Sequence, residues 1–282
     1  MSDIERLRNI KIIVSDVDGT LVNRKGLIGP ETKKLICELH KYDVLFSFAT
    51  GRLHSAVIDL AKDLEIANPI ISLDGSLIKD FPGGRTIFES FIKQKYVRKA
   101  TKYAQDYLLN VALCHSDAIY YTETNSVIPS ISSKFGARYE EVESYDEYLD
   151  GTLEIFYAGD SKESIEFVRN KFEFPYATGC DVSYFRSHSQ KGIYYLEIRK
   201  SGSSKGKGLH RLLKYLKIKP ENAAVMGDWY NDISMFDSKA IKVAVANSIP
   251  ELLRKADHVT ERSNNHEGVA EFLDMVLRAK SS

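Results

Sequence analysis

The stretch Ile10-Lys11-Ile12-Ile13-Val14-Ser15-Asp16-Val17-Asp18-Gly19-Thr20 governs how the rest of the chain reads. Residues 10–15 are mostly apolar and rich in β-branched side chains, the pattern of a buried strand. The run stops at two carboxylates one residue apart, with a glycine behind them. Working outward, residues 29–42 read as a helix. Pro30 sits where a first-turn proline belongs, and Leu35, Ile36 and Leu39 share one face. Residues 44–49 read as a second strand, 53–66 as a second amphipathic helix and 70–73 as a third strand. Strand, helix, strand, helix, strand predicts an α/β core: a parallel sheet with helices on its faces.

Phe81-Pro82-Gly83-Gly84 then breaks the rhythm. From about residue 86 to 198 the chain is rich in aromatics. It alternates in stretches such as 119–121, 153–158 and 194–198, with helical segments at 94–109 and 162–172 between them. This predicts a separate α+β unit. A second small-residue break, Ser201-Gly202-Ser203-Ser204, precedes the return of α/β alternation: helix 207–216, strand 223–226, strand 242–245, helix 250–256 and helix 267–277. The economical arrangement is one core, residues 1–82 and 199–282, split by an inserted domain at 83–198.

Composition narrows the function classes. The 282 residues are 43% hydrophobic and 28% charged, and 39 basic residues balance 39 acidic ones. There is no basic excess or stripe for a nucleic acid, and no apolar run of membrane-spanning length. Cys37, Cys114 and Cys180 are far apart and odd in number, which fits a reducing cytoplasm better than a disulfide framework or a zinc site. A cytoplasmic monomer or small homo-oligomer is expected, with neither nucleic acid nor membrane as partner.

Ligands of open α/β sheets bind beyond the carboxyl ends of the strands. Reactive groups sit at three such ends here: Asp16 and Asp18 after the first strand, Thr50-Gly51-Arg52 after the second, and Gly227-Asp228 followed by Asn231-Asp232 after a later one. Acids gathered at one edge repel one another unless a cation sits among them. Their donors are all oxygens, which suits magnesium rather than zinc. Each group has a plainer account. Asp18-Gly19 makes an ordinary Asx-turn, Thr50 or Asp228 caps a helix, and Lys205 is a solvated lysine in a polar loop. What favours chemistry is the order of acids, hydroxyl, lysine and acids, three of the four directly following strands.

That order resembles the haloacid dehalogenase (HAD) superfamily. Asp16-Val17-Asp18-Gly19-Thr20-Leu21 is similar to its first motif, Ala49-Thr50-Gly51-Arg52 to its second, Ser204-Lys205-Gly206 to its third and Gly227-Asp228-Trp229-Tyr230-Asn231-Asp232 to its fourth. The closing segment, Val243 to Ser248, Ala256 to Thr260 and Asn264 to Val269, resembles the Cof-type sugar-phosphatase branch. The resemblance implies a Rossmann-like parallel-sheet core with an α/β cap. It implies a Mg2+-dependent phosphatase acting on a small phosphorylated metabolite, a sugar phosphate first. Asp16 would be the nucleophile and Asp18 the acid/base. Asp16, Asp18 (by its carbonyl), Asp228 and Asp232 (directly or through water) would hold the metal. Thr50, the amide of Gly51, Lys205 and Asn231 would hold the phosphoryl oxygens. A phosphomutase or other phosphotransferase would share these residues, whereas a catalytically silent module on the same scaffold would have lost some of them.

The chain departs from the family pattern at Leu73-Asp74-Gly75-Ser76, where Asn-Gly-Ala is usual, and at Ala246, where glycine is common. A carboxylate at 74 is unfavourable beside an anionic substrate unless it pairs, with Arg52 in the preferred account, or faces a substrate hydroxyl. In the insert, residues 185–192 read as a hairpin loop. Arg186, His188 and Lys191 either contact the leaving group there or belong to a solvated tip.

Overall fold

A computed structural model describes residues 3–122, 128–129, 136–186 and 192–282. The chain divides into two compact units. The first comprises Met1–Gly51, Ile58–Ile87 and Ser204–Ser282; the second comprises Arg52–Val57 and Phe88–Ser203.

The first unit is built on a five-stranded parallel sheet. Its order is His258–Val259, Ile241–Ala244, Ala223–Gly227, Ile12–Ser15, Leu45–Phe48. All four residues of Ile12–Ser15 and all five of Ala223–Gly227 are buried. That burial explains the continuous apolar runs, because a parallel sheet is covered on both faces. A parallel bridge between Ala49 and Ile71 brings the Ile70–Ser72 strand alongside the sheet. Ile70–Ser72 in turn pairs antiparallel with Leu77–Lys79.

The helix Pro30–His40 opens with Pro30 after Gly29 and buries Leu35, Ile36 and Leu39, the predicted face. The stretch expected as one helix from 53 to 66 is a 3-10 turn, His54–Val57, followed by a short α-helix, Ile58–Asp63. Tight first turns of this kind are common at helix starts. Glu65 ends the helix in the left-handed region, at φ 51°.

The second unit holds a six-stranded sheet in the order Cys180–Arg186, Tyr194–Lys200, Glu154–Gly159, Asn110–Cys114, Ile119–Tyr121, Tyr139–Glu141. Pairing is antiparallel except between the last two strands. Helices Gln94–Asp106 and Lys162–Phe172 supply Val97, Ala100, Ile165, Val168 and Phe172 to the core on one face. Val111, Leu113, Ile155, Tyr157, Leu196 and Ile198 meet them from the sheet. The intervening residues Ala112 and Phe156 lie in a separate cluster with Tyr121 and Ile128, as the period-two alternation of strands requires. Helix Gln94–Asp106 stops short of the expected 109 because Leu108 is left-handed, at φ 52°. Tyr184 and Tyr194 stack in parallel and pack against the core cluster, and the Tyr120 hydroxyl donates to Asp117. Among the described residues no helix is long and apolar enough to cross a membrane.

Candidate active site

Parallel register assembles the reactive groups. Ser15 lies opposite both Met226 and Phe48, so the residues that follow all three strands emerge at one edge. The backbone continues this order for one more step: Asp16 N–H donates to the Met226 carbonyl at 2.9 Å and Ala49 N–H to the Ser15 carbonyl at 2.9 Å. Asp16, Asp228 and Asp232 converge there, each offering a carboxylate oxygen within 4.8 Å of the others. All three are buried. Asp18 is exposed, so the two carboxylates of the opening motif occupy opposite environments.

Lys205 was expected in a polar loop. It is instead the first residue of the helix Lys205–Leu216 and is 1% exposed. Ser204 caps that helix by accepting the Lys207 N–H at 3.2 Å. Gly206 lets the first turn lie against the backbone at Ser234, where a Cβ would fall 2.1 Å from the carbonyl oxygen. The Lys205 ammonium donates to Asp16 Oδ1 at 2.5 Å and to Asp232 Oδ1 at 2.6 Å. The other oxygen of Asp232 accepts the N–H groups of Asp228 and Trp229, at 2.9 and 3.0 Å, which ties the loop after the strand to the same carboxylate. Asp228 Oδ1 accepts the Thr20 hydroxyl at 2.7 Å.

Gly19, at φ 84°, is required here, since a Cβ would lie 2.4 Å from Asp228 Oδ2. Its carbonyl accepts the Asn247 amide at 2.8 Å. Asn264 donates its backbone N–H to Asn247 Oδ1 and its side-chain amide to the Val22 carbonyl, at 2.9 and 2.8 Å. Thr20 and Asn264 were not singled out from the sequence, because their partners lie 208 and 242 residues away.

The electrostatics follow from burial. Desolvation drives the Asp16 carboxyl well above the ordinary carboxylate range; Lys205 opposes it, while Asp232 and Asp228 reinforce it. Desolvation likewise pushes Asp228 up to about 7 against the Thr20 hydrogen bond. Burial favours the neutral amine of Lys205, but Asp16, Asp232 and Asp74 together hold its pKa above the usual lysine value. With all three clustered carboxylates ionised, one ammonium leaves two negative charges uncompensated, 3 − 1 = 2. Buried oxygen donors carrying that excess fit a hard divalent cation.

The remaining expected residues distribute as follows. Thr50 is buried; its N–H donates to the Ile71 carbonyl and its own carbonyl accepts the Asp74 N–H, both at 3.0 Å. Gly51 is exposed, and a Cβ there would lie 3.5 Å from Asp74 Oδ1. Asn231 is exposed, and its amide donates to Asp74 Oδ1 at 3.1 Å. Asp74 therefore has a partner in the fourth motif. Arg186 is the exposed last residue of its strand. His188 and Lys191 lie outside the described residues.

A family model for haloacid dehalogenase-like hydrolases matches residues 13–273. The 5-amino-6-(5-phospho-D-ribitylamino)uracil phosphatase YwtE of Bacillus subtilis is 30% identical over 295 residues, covering 95% of this chain and 98% of the relative. Phosphatase YwpJ of the same species is 25% identical, with 95% and 100% covered. Among solved structures, a haloacid dehalogenase-like hydrolase from Bacteroides thetaiotaomicron superposes with a TM-score of 0.83, covering 95% of this chain and 99% of the other. At 23% identity that likeness speaks to the fold alone. TM0651 from Thermotoga maritima gives a TM-score of 0.80 at 25% identity, with 94% and 97% covered.

Proposed function

Because the chain belongs to the haloacid dehalogenase-like hydrolases, we propose that its phosphatase activity is magnesium-dependent, proceeds through an aspartyl-phosphate on Asp16, and acts on a small sugar or polyol phosphate. The observation that carries this reading is the buried Lys205 bridge between Asp16 and Asp232, with Asp228 in the same carboxylate cluster.

Asp16 attacks phosphorus, and the bond from phosphorus to the leaving oxygen breaks. Lys205 favours the ionised form of Asp16 and fixes one of its oxygens. Asp18, exposed and two residues on, protonates the leaving oxygen; it then takes a proton from the water that hydrolyses the acyl phosphate. The two carboxylates must differ in protonation: burial opposes the ionised form of Asp16, and Lys205 together with a bound cation would hold it ionised. Thr50, the amide of Gly51, Lys205 and Asn231 hold the phosphoryl oxygens, because such transfers depend chiefly on positioning and charge neutralisation. Asp16, Asp228 and Asp232, with the Asp18 carbonyl, would hold Mg2+, which when bound supplies charge neutralisation to the carboxylates and phosphate.

In this proposal residues 1–82 and 199–282 act as the catalytic core and 83–198 as the cap that chooses the substrate. Arg52, Asp74, Arg186 and His188 are its candidate specificity residues. The name of the Bacillus subtilis relative specifies a phosphorylated ribityl chain. A primary phosphate ester beside hydroxyls is thus the first chemistry to offer.

The test is to quench the enzyme in acid during turnover of a phosphate-labelled substrate. Label should remain on the protein, be released by hydroxylamine, and be absent from Asp16→Asn. Substantial turnover by Asp16→Asn would overturn the covalent route. A panel of sugar and polyol phosphates, with chelator and with magnesium, tests the other two parts.

A further inference from the structure

Residues 73–75 join the segments that carry Thr50, Lys205 and Asn231. Leu73 and Asp74 are both left-handed, at φ 46° and 47°, and Asp74 is 6% exposed. The Asp74 N–H is bonded to the Thr50 carbonyl. Gly75, also at positive φ, lies so near the Ser204 carbonyl that a Cβ would be 2.3 Å from it. The Asp74 carboxylate accepts the Asn231 amide at 3.1 Å. Two consecutive left-handed residues without a glycine are uncommon, and backbone held that way gathers where geometry serves a site.

We infer that Asp74 is a positioning residue whose carboxylate selects the orientation of the Asn231 amide, turning its N–H groups, rather than its carbonyl, toward the acceptors around it. The inference rests on the reading of Asn231 as a holder of phosphoryl oxygens. An ionised carboxylate only accepts hydrogen bonds, so it captures the –NH2 of an asparagine and excludes the flipped amide. Phosphoryl oxygens of a dianion also only accept. A flipped Asn231 would present a carbonyl lone pair to them; the orientation that Asp74 enforces leaves the second N–H of the same nitrogen to donate. This accounts for an acid in a place where its charge alone would oppose an anionic substrate. Asp74 also acts attractively on Lys205.

The experiment is a double-mutant cycle on the full chain, with 4-nitrophenyl phosphate as substrate and inorganic phosphate as competitive inhibitor. Asn231→Ala should lower kcat/KM by about 10–100-fold and weaken phosphate inhibition. Asp74→Ala should reproduce most of that loss, and the double variant should be no worse than Asn231→Ala, because Asp74 acts through Asn231. Asp74→Asn can offer Asn231 either its carbonyl or its own N–H groups, so it no longer excludes the flipped amide and should lose a part of what Asp74→Ala loses in kcat/KM and in phosphate inhibition. Circular dichroism and thermal melts of all four variants identify any that fail to fold, and Asp74→Asn carries the test if Asp74→Ala does. Additive losses, or kcat/KM and phosphate inhibition equal to the parent's in a folded Asp74→Asn, overturn the positioning role while leaving Asn231 as a phosphoryl holder. If Asn231→Ala has no effect on kcat/KM or on phosphate inhibition, the assignment of Asn231 falls, and the inference with it.

Discussion

The Lys205 ammonium lies 2.5 Å from Asp16 Oδ1 across 189 residues of sequence, and both groups are buried. A second bond, 2.6 Å to Asp232, makes Lys205 the cation shared by the first and fourth motifs. Removing one partner of a buried ion pair costs on the order of 3–5 kcal/mol, because the other charge stays behind. Here the groups left behind are carboxylates already short of positive charge.

Lys205→Met should therefore lose both activity and stability. A drop in kcat of at least about 100-fold is expected, with a lower Tm, since the variant leaves Asp16 and Asp232 without their ammonium. Steady-state kinetics and calorimetry check it. A melt unchanged from the parent would mean that the carboxylates do not need Lys205 in the folded state.

Stability without metal should fall with rising pH. The Asp228 pKa is raised from 3.8 to about 7 in the folded state. Its contribution is fully present below about pH 3.8 and is lost as the pH climbs through about 7, an effect of roughly 4 kcal/mol at most. Asp16 shifts in the same direction. Magnesium requires the ionised carboxylates, so the gain in Tm on adding it should grow over the same window. Melts from pH 4 to 8 in EDTA and in magnesium, for the parent and for Asp228→Asn, separate this group from the rest. Parallel curves for the two proteins would count against it.

Thr20→Val keeps the volume of the side chain but removes the donor to Asp228 Oδ1. A hydrogen bond to a charged group is worth about 1.5–3 kcal/mol, so the ionised form of Asp228 becomes less favourable. The magnesium concentration for half-maximal activity should rise about tenfold or more while the fold is kept. A titration with equal midpoints for parent and variant would rule out the predicted coupling.

Asn264→Ala removes the amide that holds the Val22 carbonyl, while leaving the backbone bond to Asn247. The loop from 17 to 22 should exchange its amide hydrogens faster, and kcat should fall several-fold with little change in Tm. Hydrogen exchange read peptide by peptide is the decisive measurement. Unchanged protection across residues 17–22 would show that Asn247 suffices.

Much of this site is readable where local chemistry alone decides it. Parallel strands announce themselves as unbroken apolar runs, and the acids that end two of them, Asp16 and Asp228, are as visible as the runs. Lys205 is different. Local composition puts it among serines and glycines, and only the distant carboxylates Asp16 and Asp232 explain why it is buried. The same holds for Asp74. Its carboxylate meets the amide of Asn231, 157 residues on, a partner that local composition does not announce. The break at 53–66 was also hidden, because a 3-10 turn and an α-helix bury apolar residues at nearly the same spacing.

The brace formed by Asn247 and Asn264 on the loop after the first strand carries a consequence for the order of biosynthesis. Asp16 is polymerised 189 residues before Lys205, and earlier still relative to Asp228, Asn247 and Asn264. At about 5–20 residues per second, a nascent chain carries that acid for on the order of tens of seconds before its partners exist. A chain terminated before residue 247 would retain Asp16 and Asp18 yet lack the brace on Gly19 and Val22.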